Sequence, residues 1–139
     1  MTPSRPPQTA GPPPATITRS DRPWGSFEQF VHNEAVTVKI ITVAPLERLS
    51  LQRHARRDEF WQVIDGPADV EVGDQVSSVE AGGRAWIPRG CTHRLGNPGP
   101  DTVRVLEIAF GHFDEDDIER LVDDYDRAST STEVPAADP

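Results

Sequence analysis

One cysteine, Cys91, stands in 139 residues, which rules out an internal disulfide framework and fits a reducing compartment. Lysine is almost as scarce: Lys and Arg together number 14, only Lys39 is lysine, and the other thirteen are arginine. No apolar run approaches the roughly 20 residues needed to span a bilayer. The N-terminus has no apolar segment of the signal-peptide kind. Positive charge is also in deficit, with a formal net charge of −9 that argues against non-specific nucleic-acid binding. A chain of this length has room for one domain. Together these shortages point to a soluble cytoplasmic protein that binds neither nucleic acid nor membrane.

The ends differ from the middle. Residues Met1–Ser20 hold six prolines, three of them consecutive at Pro12–Pro14, and few large apolar side chains. Such a segment cannot bury enough surface to offset its ordering entropy, so residues 1–20 are expected to form a disordered, polyproline-like tail. It has no well-flanked PxxP core that would make it an SH3-type ligand. Residues 128–139 are similarly small and polar and form a second tail. The folded unit is then 21–127.

Within it the pattern is almost wholly β. Val36–Val43 is rich in β-branched residues, and short runs follow at Leu49–Gln52, Trp61–Ile64, Ala68–Val72, Gln75–Val79, Ala85–Ile87 and Thr102–Phe110. Gly73-Asp74 supplies a tight hairpin between two of them. Many short strands with Gly/Pro punctuation predict a sandwich or small barrel. The exception is Asp114–Asp126, where a capping aspartate, an acidic first turn and a stripe of Ile118, Leu121, Val122 and Tyr125 predict a short C-terminal helix.

One stretch carries most of the chemistry. Gln52 and His54 are two residues apart and share a face of any strand they occupy. A turn through Ala55–Asp58 brings Glu59 back facing the same space, and His93 arrives in a second stretch, GGRAWIPRGCTHRLGN. Two imidazoles, a carboxylate and an amide oxygen make a mixed nitrogen/oxygen site for a divalent metal. His32 and His112 have no such setting and read as non-ligands. Cys91 reads as a small apolar residue rather than a further ligand. The acidic run Asp114–Asp117 lacks the alternating ligands and turn glycine of a calcium loop.

These stretches resemble the two motifs of the cupin superfamily. The second has Gly82, Pro88, Gly90, His93 and Asn97 in its spacing. The first runs from Leu46 to Gly66, with Leu46 in place of the first glycine and Gln52 in place of the first histidine. A narrower resemblance covers Asp21–Arg127: RPWGSF, VKIITV, LSLQRH, RRDEFW, IPRGCTHRLGN and the closing EDDI segment are similar to type II mannose-6-phosphate isomerase, which usually forms the C-terminal domain of a bifunctional guanylyltransferase/isomerase. The chain has no glycine-rich phosphate loop, so no guanylyltransferase activity is carried over.

The resemblance implies an all-β, double-stranded β-helix (jelly roll). It implies metal ligands Gln52, His54, Glu59 and His93, zinc first and manganese, cobalt, nickel or iron next, and interconversion of mannose 6-phosphate and fructose 6-phosphate by a homodimer. Aldose–ketose isomerisation moves a proton between adjacent carbons, and a bound metal stabilises the charge that develops on oxygen. On the family pattern, Lys39 and Arg94 are assigned to the proton chemistry, Arg57 to the substrate phosphate and Trp24 to the wall of the sugar pocket. The chain also departs from that pattern. Ala55 and Arg56 replace histidines, Asp126 replaces a glycine, and Phe60 replaces the histidine after the metal-binding glutamate. Phenylalanine transfers no proton. Two alternatives therefore stand beside the isomerase: another metal-cupin enzyme, such as an oxygenase or an isomerase of a non-phosphorylated substrate, and a non-catalytic sugar- or metabolite-binding module.

Overall fold

The computed structural model describes residues 17–127. Eleven strands follow in order: β1 (Thr18–Arg22), β2 (Gly25–Gln29), β3 (Val36–Val43), β4 (Leu51–Arg53), β5 (Arg57–Asp65), β6 (Ala68–Val72), β7 (Gln75–Val79), β8 (Arg84–Ile87), β9 (His93–Gly96), β10 (Val103–Gly111) and β11 (Glu119–Val122). They form a four-stranded sheet in the order β3-β10-β5-β8, a five-stranded sheet in the order β11-β4-β9-β6-β7, and a separate β1-β2 hairpin. All pairings are antiparallel. The all-β expectation is borne out. No helix among the described residues is long and apolar enough to cross a membrane.

Period-2 alternation places the core between the two larger sheets. Ile41 and Val43 of β3, Trp61 and Val63 of β5, Ala85 and Ile87 of β8, and Val103 and Val105 of β10 point inward from one sheet. Ala68, Val70 and Val72 of β6 and Leu95 of β9 meet them from the other. Asn97, at the end of the second motif, clips the sheets' connections: its Nδ2 donates to the Val43 and Asp101 carbonyls at 3.0 and 2.7 Å, and its Oδ1 accepts from the Gly99 N–H.

Two expectations are corrected. The first strand begins at Thr18, inside the segment assigned to an N-terminal tail; the rest of that tail, and residues 128–139, lie outside the described residues. The helix over Asp114–Asp126 is absent. In its place Glu119–Val122 forms β11, which pairs with β4 with Arg120 opposite Gln52. The apolar residues at helical spacing were outweighed by tertiary demand, because β4 would otherwise be a sheet edge with unpaired backbone groups.

Candidate metal centre

β4, β5 and β9 bring the site together. Gln52 lies directly opposite His93 in the β4–β9 register, so both side chains leave the same face of the five-stranded sheet. His54 follows one step past the end of β4. Glu59 projects inward from β5 in the opposing sheet, two residues before the core residue Trp61. His54, Glu59 and His93 are 3%, 1% and 2% exposed, so the centre is enclosed by protein. One ligand atom from each of the three lies within 4.8 Å of the others. His54 Nε2 is 3.4 Å from one Glu59 carboxylate oxygen, and His93 Nε2 is 3.5 Å from the other.

The ring orientations are fixed from behind. His54 Nδ1 is 2.8 Å from the Asp117 carbonyl oxygen, and His93 Nδ1 is 3.1 Å from that of Cys91. Each Nδ1–H therefore donates to the backbone, and each Nε2 keeps its lone pair turned to the carboxylate. This is the arrangement that selects the metal-binding tautomer. Burial drives the His54 pKa down to about 4, helped by the nearby charges of His93 and Arg57, and burial likewise lowers that of His93. Both rings are neutral at pH 7, the state in which imidazole binds metal. Burial alone would raise the Glu59 pKa, but the cationic surroundings hold it below its ordinary value. With both imidazoles neutral, the lasting cation there is Arg57. Gln52 Nε2 donates to the Ser50 hydroxyl at 2.9 Å, which leaves the amide oxygen as the atom it has to offer a cation. Two neutral imidazoles and a carboxylate gathered within 4.8 Å fit a divalent metal, and Gln52, in register with His93 on the neighbouring strand, brings an amide oxygen to the same face of the sheet.

Three assigned residues sit elsewhere or do something else. Arg94 follows His93 on β9 and points to the opposite face, where its Nε donates to the Leu49 carbonyl at 2.9 Å and one terminal nitrogen to that of Val122 at 3.2 Å. Strand alternation makes it a brace for the outer side of the sheet. Trp24 lies in the β1–β2 turn and is 73% exposed, so it neither plugs the barrel nor walls the centre. Arg57 is 2% exposed and inside the site, but its guanidinium is already engaged. Its Nε donates to Glu59 at 2.9 Å, one terminal nitrogen donates to the Asp114 carbonyl at 3.2 Å, and the other is 3.2 Å from His54 Nε2. The group also lies 4.2 Å from the centroid of the Phe113 ring. Lys39, by contrast, is on the inner face of β3, in register with Glu107 of β10. Its Nζ is 4.6 Å from the Phe113 centroid and 3.6 Å from the Glu115 carboxylate.

Glu107 was not singled out in the sequence. It is 1% exposed, accepts a hydrogen bond from Trp61 Nε1 at 3.0 Å through one oxygen, and leaves the other, Oε2, buried without a partner. Burial and the Glu59 charge push its carboxyl up to about 8. Orphaned buried oxygens are rare and invite a functional reading. The signal was in the sequence: Val103, Val105, Glu107 and Ala109 occupy the inward positions of one alternating strand. Phe60, the apparent loss of a catalytic histidine, alternates away from Glu59 and packs edge-on against Phe30 at 5.8 Å between centroids. Residue 60 does not face the centre, so this departure leaves the site's residues as they are. A groove of about 780 Å³ runs past Lys39, Ile41 and Leu49 to Tyr125, and of the site's residues only Lys39 lines it.

Residues 15–123 match the protein family described as mannose-6-phosphate isomerase C-terminal. The xanthan biosynthesis protein XanB of Xanthomonas campestris pv. campestris is 42% identical over 107 residues, covering 76% of this chain and 23% of that protein. The alginate biosynthesis protein AlgA of Pseudomonas aeruginosa is 41% identical over 109 residues, covering 78% of this chain and 23% of that protein. The chain thus spans less than a quarter of the length of these relatives. Among solved structures, a conserved protein with a double-stranded β-helix domain from Klebsiella pneumoniae aligns with a TM-score of 0.52 at 20% identity, covering 73% of this chain and 82% of that one. That likeness shows the fold, and the double-stranded β-helix expected from the two motifs is the architecture found.

Proposed function

The chain belongs to the mannose-6-phosphate isomerase C-terminal family, and from that footing we propose that it is a metal-dependent aldose–ketose isomerase interconverting mannose 6-phosphate and fructose 6-phosphate. The observation that carries the reading is the enclosed His54–Glu59–His93 cluster, whose imidazoles are both neutral and both oriented by backbone carbonyls. Gln52 completes the donor set through its amide oxygen. Zinc is the first choice for the metal, ahead of manganese, cobalt, nickel and iron, because two imidazoles joined by a carboxylate form a recurrent zinc donor set. When bound, the metal supplies Lewis-acid polarisation of the sugar's carbonyl and hydroxyl oxygens.

The chain's own residues supply the rest. A carboxyl that titrates near neutrality holds or releases a proton at little cost, which suits a reaction that takes a proton from one carbon and returns it to the next. Glu107 is such a group. Lys39, opposite it in register, adds a positive charge on the same inner face and reaches the groove. We assign proton handling to Glu107 with Lys39 beside it, in place of Arg94.

The test is to purify the protein, measure its metal content and assay mannose 6-phosphate isomerisation with and without added zinc. We expect stoichiometric metal, zinc-dependent turnover, and loss of both in His54→Ala. Stoichiometric metal with no turnover would keep the metal centre and overturn the isomerase.

A further inference from the structure

Arg57 engages the same atoms that a metal needs. Its Nε donates to Glu59 Oε2 at 2.9 Å, and one of its terminal nitrogens stands 3.2 Å from His54 Nε2. The guanidinium is a permanent cation, it is 2% exposed, and Glu59 beside it is 1% exposed. A buried carboxylate without a counter-charge is strongly unfavourable, so this pair keeps Glu59 ionised in the absence of any other cation. The pair also competes with an incoming metal twice over, by occupying ligand atoms and by like-charge repulsion. The residue has other holds at hand: the Asp114 carbonyl at 3.2 Å and the Phe113 ring at 4.2 Å. Neither of these involves a metal ligand, so the side chain can give up His54 and Glu59 and remain inside the site.

We propose that Arg57 is the resident cation of this centre: it holds the Glu59 carboxylate when no metal is bound, yields His54 and Glu59 when a divalent metal enters, and thereby weakens metal binding and speeds metal release. The inference rests on reading His54, Glu59 and His93 as metal ligands, but not on the reaction the metal serves. It makes Arg57 a positioning residue for the metal centre rather than the phosphate ligand expected from the sequence.

The test uses the metal-depleted full chain with Zn²⁺ or Co²⁺ alone, titrated against a chelator, in wild type, Arg57→Met and Arg57→Lys. Arg57→Met keeps the apolar stem and removes the charge. It is expected to bind either metal at least tenfold more tightly and release it more slowly, while Arg57→Lys, which keeps a cation, stays near wild type. The metal-free Arg57→Met protein is expected to melt below wild type, and the gap to close once metal is added. Equal or weaker binding by Arg57→Met overturns the proposal and leaves the metal centre standing. Binding by Arg57→Met alone supports it and removes the metal-dependent isomerase. Binding by neither protein overturns both. Should Arg57→Met fail to fold, solvent exchange of the Arg57 Nε–H in wild type carries the test. Saturating Zn²⁺ is expected to speed that exchange at least tenfold, and an unchanged rate overturns the proposal.

Discussion

Glu107 separates function from stability more sharply than any other side chain here. Its Oε2 is buried and unpartnered, and its carboxyl is pushed up to about 8 by burial and by Glu59. In Glu107→Gln the amide oxygen still accepts from Trp61, while the orphaned ionisable oxygen becomes an amide nitrogen. We expect this variant to melt higher than wild type at pH 8, by about 5 °C or more, because a buried carboxyl no longer has to ionise. Turnover of mannose 6-phosphate is expected to fall at least 100-fold. Calorimetry and a steady-state assay on one preparation check both halves; a lower melting point with turnover intact would remove Glu107 from the chemistry. Sites that trade stability for activity behave in this way. The gathering of His54, Glu59 and His93, with Gln52 paired to His93 across the strands, was legible in the sequence because motif spacing survives in one dimension. Arg94 misled because adjacency to His93 in sequence means opposition across a strand, and Phe60 misled for the same reason beside Glu59.

Departures from the cupin pattern also act on whole elements. Leu46 stands where the first motif begins with glycine, and its φ is +65°, with 74% of the residue exposed. Asp126, likewise in place of a glycine, has φ +66°. The left-handed backbone has been kept although the residue that adopts it freely has not. Aspartate tolerates this region; leucine does so at a cost of about 1–2 kcal/mol, partly offset by glycine's extra unfolded-state entropy. Leu46→Gly should therefore stabilise the protein by about 0.5–1 kcal/mol and raise its melting temperature by about 2–5 °C. A thermal melt that falls instead would show that the leucine side chain contributes packing its exposure does not suggest. The segment after β10 is the other element that departs from expectation. Asp117 accepts from the Ala55 and Arg56 backbone N–H groups at 2.8 and 2.9 Å, and its carbonyl orients His54 at 2.8 Å. A local pattern of apolar residues at helical spacing could not reveal those partners, because they lie some sixty residues away in sequence.

At the scale of the whole molecule, the buried site sets how stability varies with pH in the metal-free protein. His54 is lowered to about 4 from an ordinary 6.5, so the unfolded chain binds the extra proton first; its contribution is present above 6.5 and lost as pH falls towards 4. Glu107 is raised to about 8 from 4.5, so its contribution is present below 4.5 and lost as pH rises towards 8. The two trends oppose each other between 4.5 and 6.5, and only the Glu107 trend remains above. Urea unfolding of wild type is expected to show stability falling by about 2 kcal/mol from pH 6.5 to 8. Glu107→Gln should be flat over that window yet still weaken in acid; a slope unchanged by the substitution would count against the assignment. The sequence by itself determined the all-β class, the two ligand-bearing motifs and the family, because alternation and motif spacing are properties of a chain in one dimension. The tertiary structure decided that β11 replaces a helix, that Arg94 and Phe60 face away from the centre, and that Arg57 and Glu107 face into it. Those outcomes depend on which sheet face meets which across the barrel, and burial between the facing sheets is what gives each buried charge its partner or denies it one.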